Sequence, residues 1–460
     1  MSGCKTQHMA IALDGRYPED RPLGRFAGQP SRAAFRRLHE TQPERLFSLT
    51  DPYAPVPVEL AQQSAYETTE SEHQDTATEE SMAGDTREFD PRLVTESFAH
   101  VAANSEAAME HFYARLFVRH PEIRSMFPHA MRDHMERVFA ALASIVWNIG
   151  SPDSLNCYLE QLGRNHRKFG VKGRHYEPFL AVLVDTVRHF SGHYWTEETQ
   201  AAWDAALARV SEIMMAAADR DAARQPSWWI GEVVQHDQRG PNLAVLTIRP
   251  DQPLRYLPGQ YLAVQVPRWP RVWRNFSIAN APRENGLIDL HIRAVPGGMV
   301  SASLVHNTRP GDTLLLGQAN GEMTTPAGQD RDLLCIAGGT GLAPIKAIIE
   351  GVISASQPGR RRKISLFLGA RAEGDLYDLR DLQVLESIYP ALTVIPVVSH
   401  QPDFSGIRGM VPDVAALHAS CEGKDIFISG PDGMVRETVR LLAGRVSAGQ
   451  IRHDPADAAR

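Results

Sequence analysis

The spacing of apolar residues changes twice along the chain, and each spacing suits only one kind of element. From about Thr95 to Asp219 the apolar positions recur at mixed threes and fours: Phe98, Val101, Ala102, Phe112, Leu116 and Phe117, then Leu180, Leu183, Val184 and Val187, then Trp203, Leu207, Val210, Ile213 and Met214. That period paints one face of successive helices, and no stretch among them alternates as a strand does. After "RQPSWW" (224–229) come short runs rich in β-branched residues, "AVLTIRP", "QYLAVQVP", "RNFSIAN", "LIDLHIRAV" and "DTLLLGQA", broken by Pro and Gly turns. Runs of that length and punctuation predict an antiparallel barrel. From about Asp332 the strands become near-continuous apolar runs, "LLCIA", "KISLFLGA", "LTVIPVV" and "DIFISG", separated by helical patterns. Strands buried on both faces belong to a parallel α/β sheet. The expectation is multidomain: an all-α domain over 89–222, an antiparallel β-barrel over 226–326 and an α/β parallel-sheet domain over 330–455. A chain of 460 residues is long enough for three cores.

What precedes them has a different character. Residues 51–90 hold eleven Asp or Glu against one basic residue, Arg87, about −10 in a chain whose formal total is −7. Residues 1–88 are also poor in periodic apolar positions and rich in Pro, Gln, Thr and Glu, so they read as a disordered acidic tail. The four cysteines, Cys4, Cys157, Cys335 and Cys421, are far apart and form no CxxC pair. This argues against a disulfide framework, a zinc ribbon or an iron–sulfur cluster, and fits a reducing compartment. No signal-peptide core or membrane span is present, so a cytoplasmic protein with no membrane partner is expected. The absence of a large basic patch excludes nucleic acid as the natural partner.

"CIAGGTGLAPIKAIIEGV" (335–352) places a glycine loop between a strand and a helix. Backbone amides of Gly338, Gly339, Thr340, Gly341, Leu342, Ala343 and Pro344's neighbourhood can approach a pyrophosphate there, and the helix N-terminus favours its charge. A plain strand–helix turn explains the loop equally well, and it lacks the GxGxxG of an ordinary dinucleotide fold. The barrel narrows the choice. "LPGQY" (257–261, ending in Tyr261) precedes Arg274, Asn275, Phe276 and Ser277, and "GGMVSASL" follows with Gly297, Gly298, Met299, Val300 and Ser301. Arg274 can neutralise a phosphate, Phe276 can pack on an isoalloxazine, and Ser277 can hydrogen-bond near its reactive nitrogen. With "ISGPDGM" (428–434), which contains Gly430 and Pro431, the ordered set resembles the ferredoxin–NADP reductase family from residue 226 onward. The resemblance implies an FAD-carrying barrel and an NAD(P)-binding α/β domain. The family's usual tyrosine in the RxYS motif is Phe276 here, which keeps the ring and loses the hydroxyl.

A reductase that takes hydride from NAD(P)H needs an acceptor, and flavin can pass on single electrons of the kind a haem iron takes. The helical part holds one candidate ligand in "LGRNHRKFG" (162–170): His166, among three cations. Alone, a histidine in such a stretch is more often a surface group. However, "FYARLFVRHPEIRSMFP" (112–128), "WNI" (147–149), "NHRKFGVKGRHY" (165–176) and "AAW" (201–203) resemble bacterial globins and flavohaemoglobins. A globin followed by this reductase resembles a flavohaemoglobin over roughly residues 90–455.

The resemblance implies haem b, FAD and NADH or NADPH as cofactors, with His166 as the proximal iron ligand. It makes Tyr113 the distal hydrogen-bond donor, Phe127 the wedge against the haem and Tyr176 the tyrosine behind the proximal imidazole. His134 stands where a glutamine is usual, able to hydrogen-bond the ligand or to coordinate the iron. Three departures mark a divergent branch. The glutamate partner of the proximal tyrosine is Ala218, next to Asp219; the lysine before the proximal histidine is Asn165; and the C-terminal "EVF" is "DPA" (454–456), with Asp454 its one carboxylate. The implied activity is nitric oxide dioxygenation, with O2, nitric oxide and NAD(P)H as the small-molecule partners. A haem-based gas or redox sensor, or a flavohaem reductase acting on a peroxide, is the alternative. Arg371 and Arg380 are placed to meet a 2′-phosphate or simply to lie on the surface.

Overall fold

The computed structural model describes residues 89–326, 330–357 and 361–454, and the expected acidic tail lies outside them. Six helices make up the first part: α1 (Pro91–Ala102), α2 (Ser105–Arg119), α3 (Arg132–Trp147), α4 (Pro152–His166), α5 (Tyr176–Ser191) and α6 (Glu197–Ala222). Asp90 starts α1 by accepting the Arg92 amide at 2.9 Å, with Pro91 in the first turn. Phe98, Phe112, Leu116, Val182, Val187 and Trp203 are buried together. The Trp203 indole donates to Ser97 Oγ at 2.9 Å, which satisfies its one polar atom inside that core. Helices α4 and α6 lie backbone to backbone at Gly163, where a Cβ would stand 2.2 Å from the Met214 carbonyl oxygen. Only glycine permits that approach, and it fixes the end of α4, which is His166.

The second part is a six-stranded antiparallel sheet built from β1 (Trp229–Gly240), β2 (Leu243–Pro250), β3 (Tyr261–Gln265), β4 (Arg274–Ser277), β5 (Ile288–Arg293) and β6 (Thr313–Asn320). Its order is β4-β3-β6-β1-β2-β5, and a bridge between Ile278 and Leu290 joins the two outer strands, so the sheet closes on itself. Leu246, Ile248, Leu262, Leu290 and Leu316 fill its interior. Helix α7 (Met299–His306) crosses between β5 and β6.

The third part is an all-parallel sheet ordered β10-β9-β8-β7-β11-β12, from β7 (Leu333–Gly338), β8 (Ile364–Ala370), β9 (Leu392–Val398), β10 (Ile407–Arg408), β11 (Asp425–Ser429) and β12 (Ile451–Arg452). Helices α8 (Leu342–Ala355), α9 (Leu379–Ile388), α10 (Val411–His418) and α11 (Asp432–Leu442) accompany it. Every residue of β7 is buried, as its unbroken apolar run requires. Three strands have no counterpart among the apolar runs. The two-residue β10 and β12 carry too little pattern to register, and β1 mixes Glu232, Gln235, Asp237 and Arg239 with its apolar positions. Among the described residues, no helix is long and apolar enough to cross a membrane.

The end of α4 and the segment after α6 pack on the barrel. Gln225 donates to Gln318 Oε1 at 2.7 Å, and Asn320 to Asn165 Oδ1 at 3.5 Å. The buried Arg167–Asp221 ion pair is held beside them, with Arg167 also donating to the Gln225 carbonyl at 2.8 Å.

Candidate functional site: a cavity in the helical part and two glycine loops beyond it

A cavity of about 390 Å³ opens among the helices, a size typical of small-molecule sites. Its walls are mostly apolar, with Phe127, Leu142, Phe179, Leu180 and Trp203 among them, and a few polar side chains converge on it: Tyr113, His134, His166 and Tyr176. These were the residues singled out from the sequence, and the fold brings all of them to one space. Phe127 stands edge-on to Tyr113 and His134, with ring centroids 5.6 and 5.2 Å away.

His166 ends α4, and its Nδ1 lies 2.7 Å from the carbonyl oxygen of Leu162, one turn back. A carbonyl only accepts, so Nδ1 carries the proton and Nε2 keeps its lone pair. Burial, followed by the charge of Lys168, holds this imidazole below its ordinary value, while the Leu162 contact pulls it up. The group is therefore neutral, as a metal ligand must be.

Tyr113 and His134 occupy a separate aromatic cluster, their ring centroids 5.8 Å apart. The Tyr113 hydroxyl and His134 Nε2 are buried, and neither has a hydrogen-bond partner among the described residues. Burial pushes the Tyr113 phenol far up and lowers His134 to about 4, with Arg137 adding to the effect on His134. Both are neutral near pH 7, the phenol a donor and the imidazole able to donate or accept. Buried polar atoms are rarely left unbonded, so two of them facing one apolar cavity fit a bound group that brings a polar ligand with it. The donor set suits haem: one imidazole with a free lone pair, flat apolar walls, and two polar atoms for a gas on the iron.

Tyr176 opens α5 and is pushed up to about 12, chiefly by burial and then by the carboxylate of Asp219. No hydrogen bond links Tyr176 to Asp219 or to His166 among the described residues. Ala218 leaves the expected carboxylate position empty of charge, and the neighbouring Asp219 supplies only its field.

In the barrel, the strand register brings the sequence motifs together. Tyr261 faces Ser277, Leu262 faces Phe276, Ala263 faces Asn275 and Val264 faces Arg274. Gly298 caps α7, so Met299, Val300 and Ser301 form its first turn. Burial first, then Asp454, pushes Tyr261 up to about 12. Asp454 is itself buried and raised to about 6, although amides of Glu322 and Met323 bond it. The Arg274 guanidinium lies 3.7 Å from Asp133 of α3, so the candidate phosphate ligand also reaches the helical part.

In the parallel sheet, strand order reverses between β7 and β11, and such a switch point opens a crevice at the carboxyl ends of the strands. Gly338 to Pro344 and Gly430–Pro431 meet there. A Cβ on Gly341 would lie 2.3 Å from the Ser429 carbonyl oxygen, so the two loops close only with glycine at that position. Arg371 and Arg380 are exposed beyond β8 and on α9.

Sequence reasoning missed several residues at these sites. Phe169 and Trp273 connect the two parts, with Phe169 at 6.3 Å from His166 and 6.4 Å from Trp273. The Lys168 ammonium sits over both Phe169 and Trp273 at 5.3 and 5.6 Å, and burial lowers it to about 8. Arg137 and Arg271 also line the cavity. A tryptophan directly before the RNFS motif was the one readable signal.

Fold and site thus define a haem-binding globin joined to a flavin- and nicotinamide-binding reductase. The Globin family model matches residues 110–214, the Oxidoreductase FAD-binding domain 232–324 and the Oxidoreductase NAD-binding domain 335–440. The Flavohemoprotein of Bordetella pertussis is 26% identical over 298 residues, covering 60% of this chain and 73% of that protein. The xylene/toluene monooxygenase electron transfer component of Pseudomonas putida is 33% identical over 212 residues, covering 44% of this chain. The match spans only 59% of that component's length. The flavohemoglobin of Malassezia yamatoensis, solved with bound FAD and heme, superposes with a TM-score of 0.66 over 79% of this chain and 97% of its own, at 16% identity. That likeness is one of fold. The chain is a flavohaemoglobin-like fusion of a globin with a reductase.

Proposed function

We propose that this protein is a nitric oxide dioxygenase, which uses NAD(P)H to convert nitric oxide and O2 to nitrate. The observation that carries the reading is the pair of buried, unpartnered polar atoms, Tyr113 Oη and His134 Nε2, in the cavity that also holds His166. When bound, FAD would supply the conversion of a hydride into single electrons and haem the oxygen chemistry. The rest is the work of side chains. His166 would hold the iron, its Nδ1–H fixed on the Leu162 carbonyl so that Nε2 keeps a free lone pair. Tyr113 would offer its buried O–H to a polar ligand held in the cavity, and the apolar walls would keep competing water out. Phe127 orients Tyr113 and His134 by edge contact. The glycine loops at the β7–β11 switch point receive the dinucleotide, and the β3–β4 pair receives the flavin.

A second reading keeps the same electron route but gives the iron another substrate, such as a peroxide. It is favoured by Tyr176, whose hydroxyl has, among the described residues, no hydrogen bond to a carboxylate that would strengthen the proximal ligand. One experiment separates the two. The holoprotein is mixed with NADH or NADPH, O2 and nitric oxide, and nitrate is counted against dinucleotide consumed. Two nitrates per dinucleotide at steady turnover support dioxygenation; dinucleotide oxidation without nitrate refutes it. His166→Ala should abolish haem retention and nitrate formation while FAD stays bound.

A further inference from the structure

Two cations line the mouth of the cavity, one from each part of the chain. Arg137 comes from α3, and Arg271 comes from the loop that joins β3 to β4 of the barrel. Neither is ion-paired within 4.0 Å among the described residues, and the Arg274 guanidinium nearby adds a third positive charge, which the carboxylates of Asp133 and Glu136 offset only in part. Gathering like charges beside an apolar cavity is unfavourable unless an anion joins them.

The backbone at Arg271 points the same way. Its φ of 66° is the one left-handed value at a non-glycine residue among those described. The turn is set by the barrel, since the Arg271 amide donates to Gln265 Oε1 at 2.7 Å and the Val272 amide to the Trp269 carbonyl at 3.2 Å. A strained arginine held over a cavity by a neighbouring domain is a feature to explain by function. Glycine or asparagine would sit in that turn with less strain.

We propose that Arg137 and Arg271 bind the two propionate carboxylates of haem, so that the reductase barrel completes the haem site. The proposal rests on the reading that the cavity holds haem on His166. The apolar walls would take the porphyrin, and the Arg137 and Arg271 guanidinium groups would take its carboxylates. Arg274 remains with Asp133 and the flavin. Haem retention then depends on the docked barrel and not on the helices alone.

The test measures haem loss from the full-length holoprotein to excess apomyoglobin. Arg271→Gln should release haem about fivefold faster, as expected for one solvent-exposed charge pair, while FAD content is unchanged. Arg271→Lys should stay near the parent rate. Arg137→Gln should also accelerate loss, and it leaves the strained turn untouched should Arg271→Gln fold poorly. Reconstitution with the dimethyl ester of haem should erase the difference between parent and either variant. Unchanged haem loss in both variants, or a difference that persists with the ester, overturns the proposal. Loss of FAD in place of haem from Arg271→Gln does so too. If His166→Ala still holds haem, the underlying reading fails instead, and the ester comparison in the parent shows which of the two has gone.

Discussion

At the scale of single residues, His166 stood out as the candidate iron ligand because four separated motifs kept one spacing around it, whereas its hydrogen-bond partner left no such signal. The acceptor is the Leu162 carbonyl, a backbone atom that leaves no trace in residue identity. A neutral carbonyl draws less charge from Nδ1–H than a carboxylate-backed tyrosine does, so the imidazole stays a weaker donor to iron. Ala218→Glu should therefore raise the iron–histidine stretching frequency of the ferrous protein. Asp219 already touches Tyr176 with its field, so Asp219→Asn should shift that frequency only slightly. A large drop in Asp219→Asn would mean that the carboxylate network is intact. Asp454 gives a pH-dependent expectation. Its carboxyl is raised from 3.8 to about 6, chiefly by burial. The folded protein thus holds that proton more tightly than the unfolded chain, and the stability it contributes is complete below about pH 3.8 and is lost as pH rises through about 6. Asp454→Asn should match the parent in thermal midpoint near the acid end of that window and gain on it toward neutrality. A gap that does not change with pH would exclude the buried carboxyl as its cause.

Elements were legible where pattern and burial coincide. Four of the six helices of the globin part, α1, α2, α5 and α6, carry the threes-and-fours positions because each buries a stripe in one core, whereas Leu155 and Leu159 of α4 pack in a second cluster with Ile145, Val210 and Met214. The four long parallel strands show as apolar runs because both their faces are covered. β1 escaped notice for a physical reason: its second half runs past the barrel core, and Asp237 and Arg239 there form ion pairs rather than packing. Its partners Asp378 and Asp381 lie some 140 residues away at the start of α9, a distance over which no sequence spacing can be read. The motifs fared better than the strands that hold them. Tyr261 and Ser277 are sixteen residues apart and read as separate signals, but antiparallel register sets them opposite each other. Gly341 and Ser429 are brought together by the switch in strand order, which the glycine loops suggested and only the sheet supplies.

For the molecule as a whole, the decisive feature is that the residues around the candidate iron ligand, at the end of α4 and just after it, also dock on the barrel. Asn165, Arg167, Lys168 and Phe169 surround His166 in sequence, and each meets the barrel or the linker leading to it. Sequence reading gave the parts and their order. It did not give this junction, because its contacts are between residues separated by 54 to 155 positions, such as Arg167 with Asp221 and Asn165 with Asn320. The buried Arg167–Asp221 pair holds the loop on the end of α6, and Gln225, which bonds Asp221 at 2.8 Å, passes the contact to Gln318 of β6. Removing one member of a buried pair leaves the other charge uncompensated, at a cost of about 3–5 kcal/mol. Asp221→Ala should therefore lower stability by about that much and loosen the registry of the globin part on the barrel. Reduction of the flavin by NADH should keep its parent rate, since its residues lie elsewhere, while the following reduction of the haem should slow. Anaerobic stopped-flow at flavin and haem wavelengths reads the two phases separately. Replacing both partners, Arg167→Met with Asp221→Leu, should recover much of the stability by removing both charges, but not the haem phase if the polar registry matters. Equal slowing of both phases would place the effect in general unfolding and remove the junction from the account.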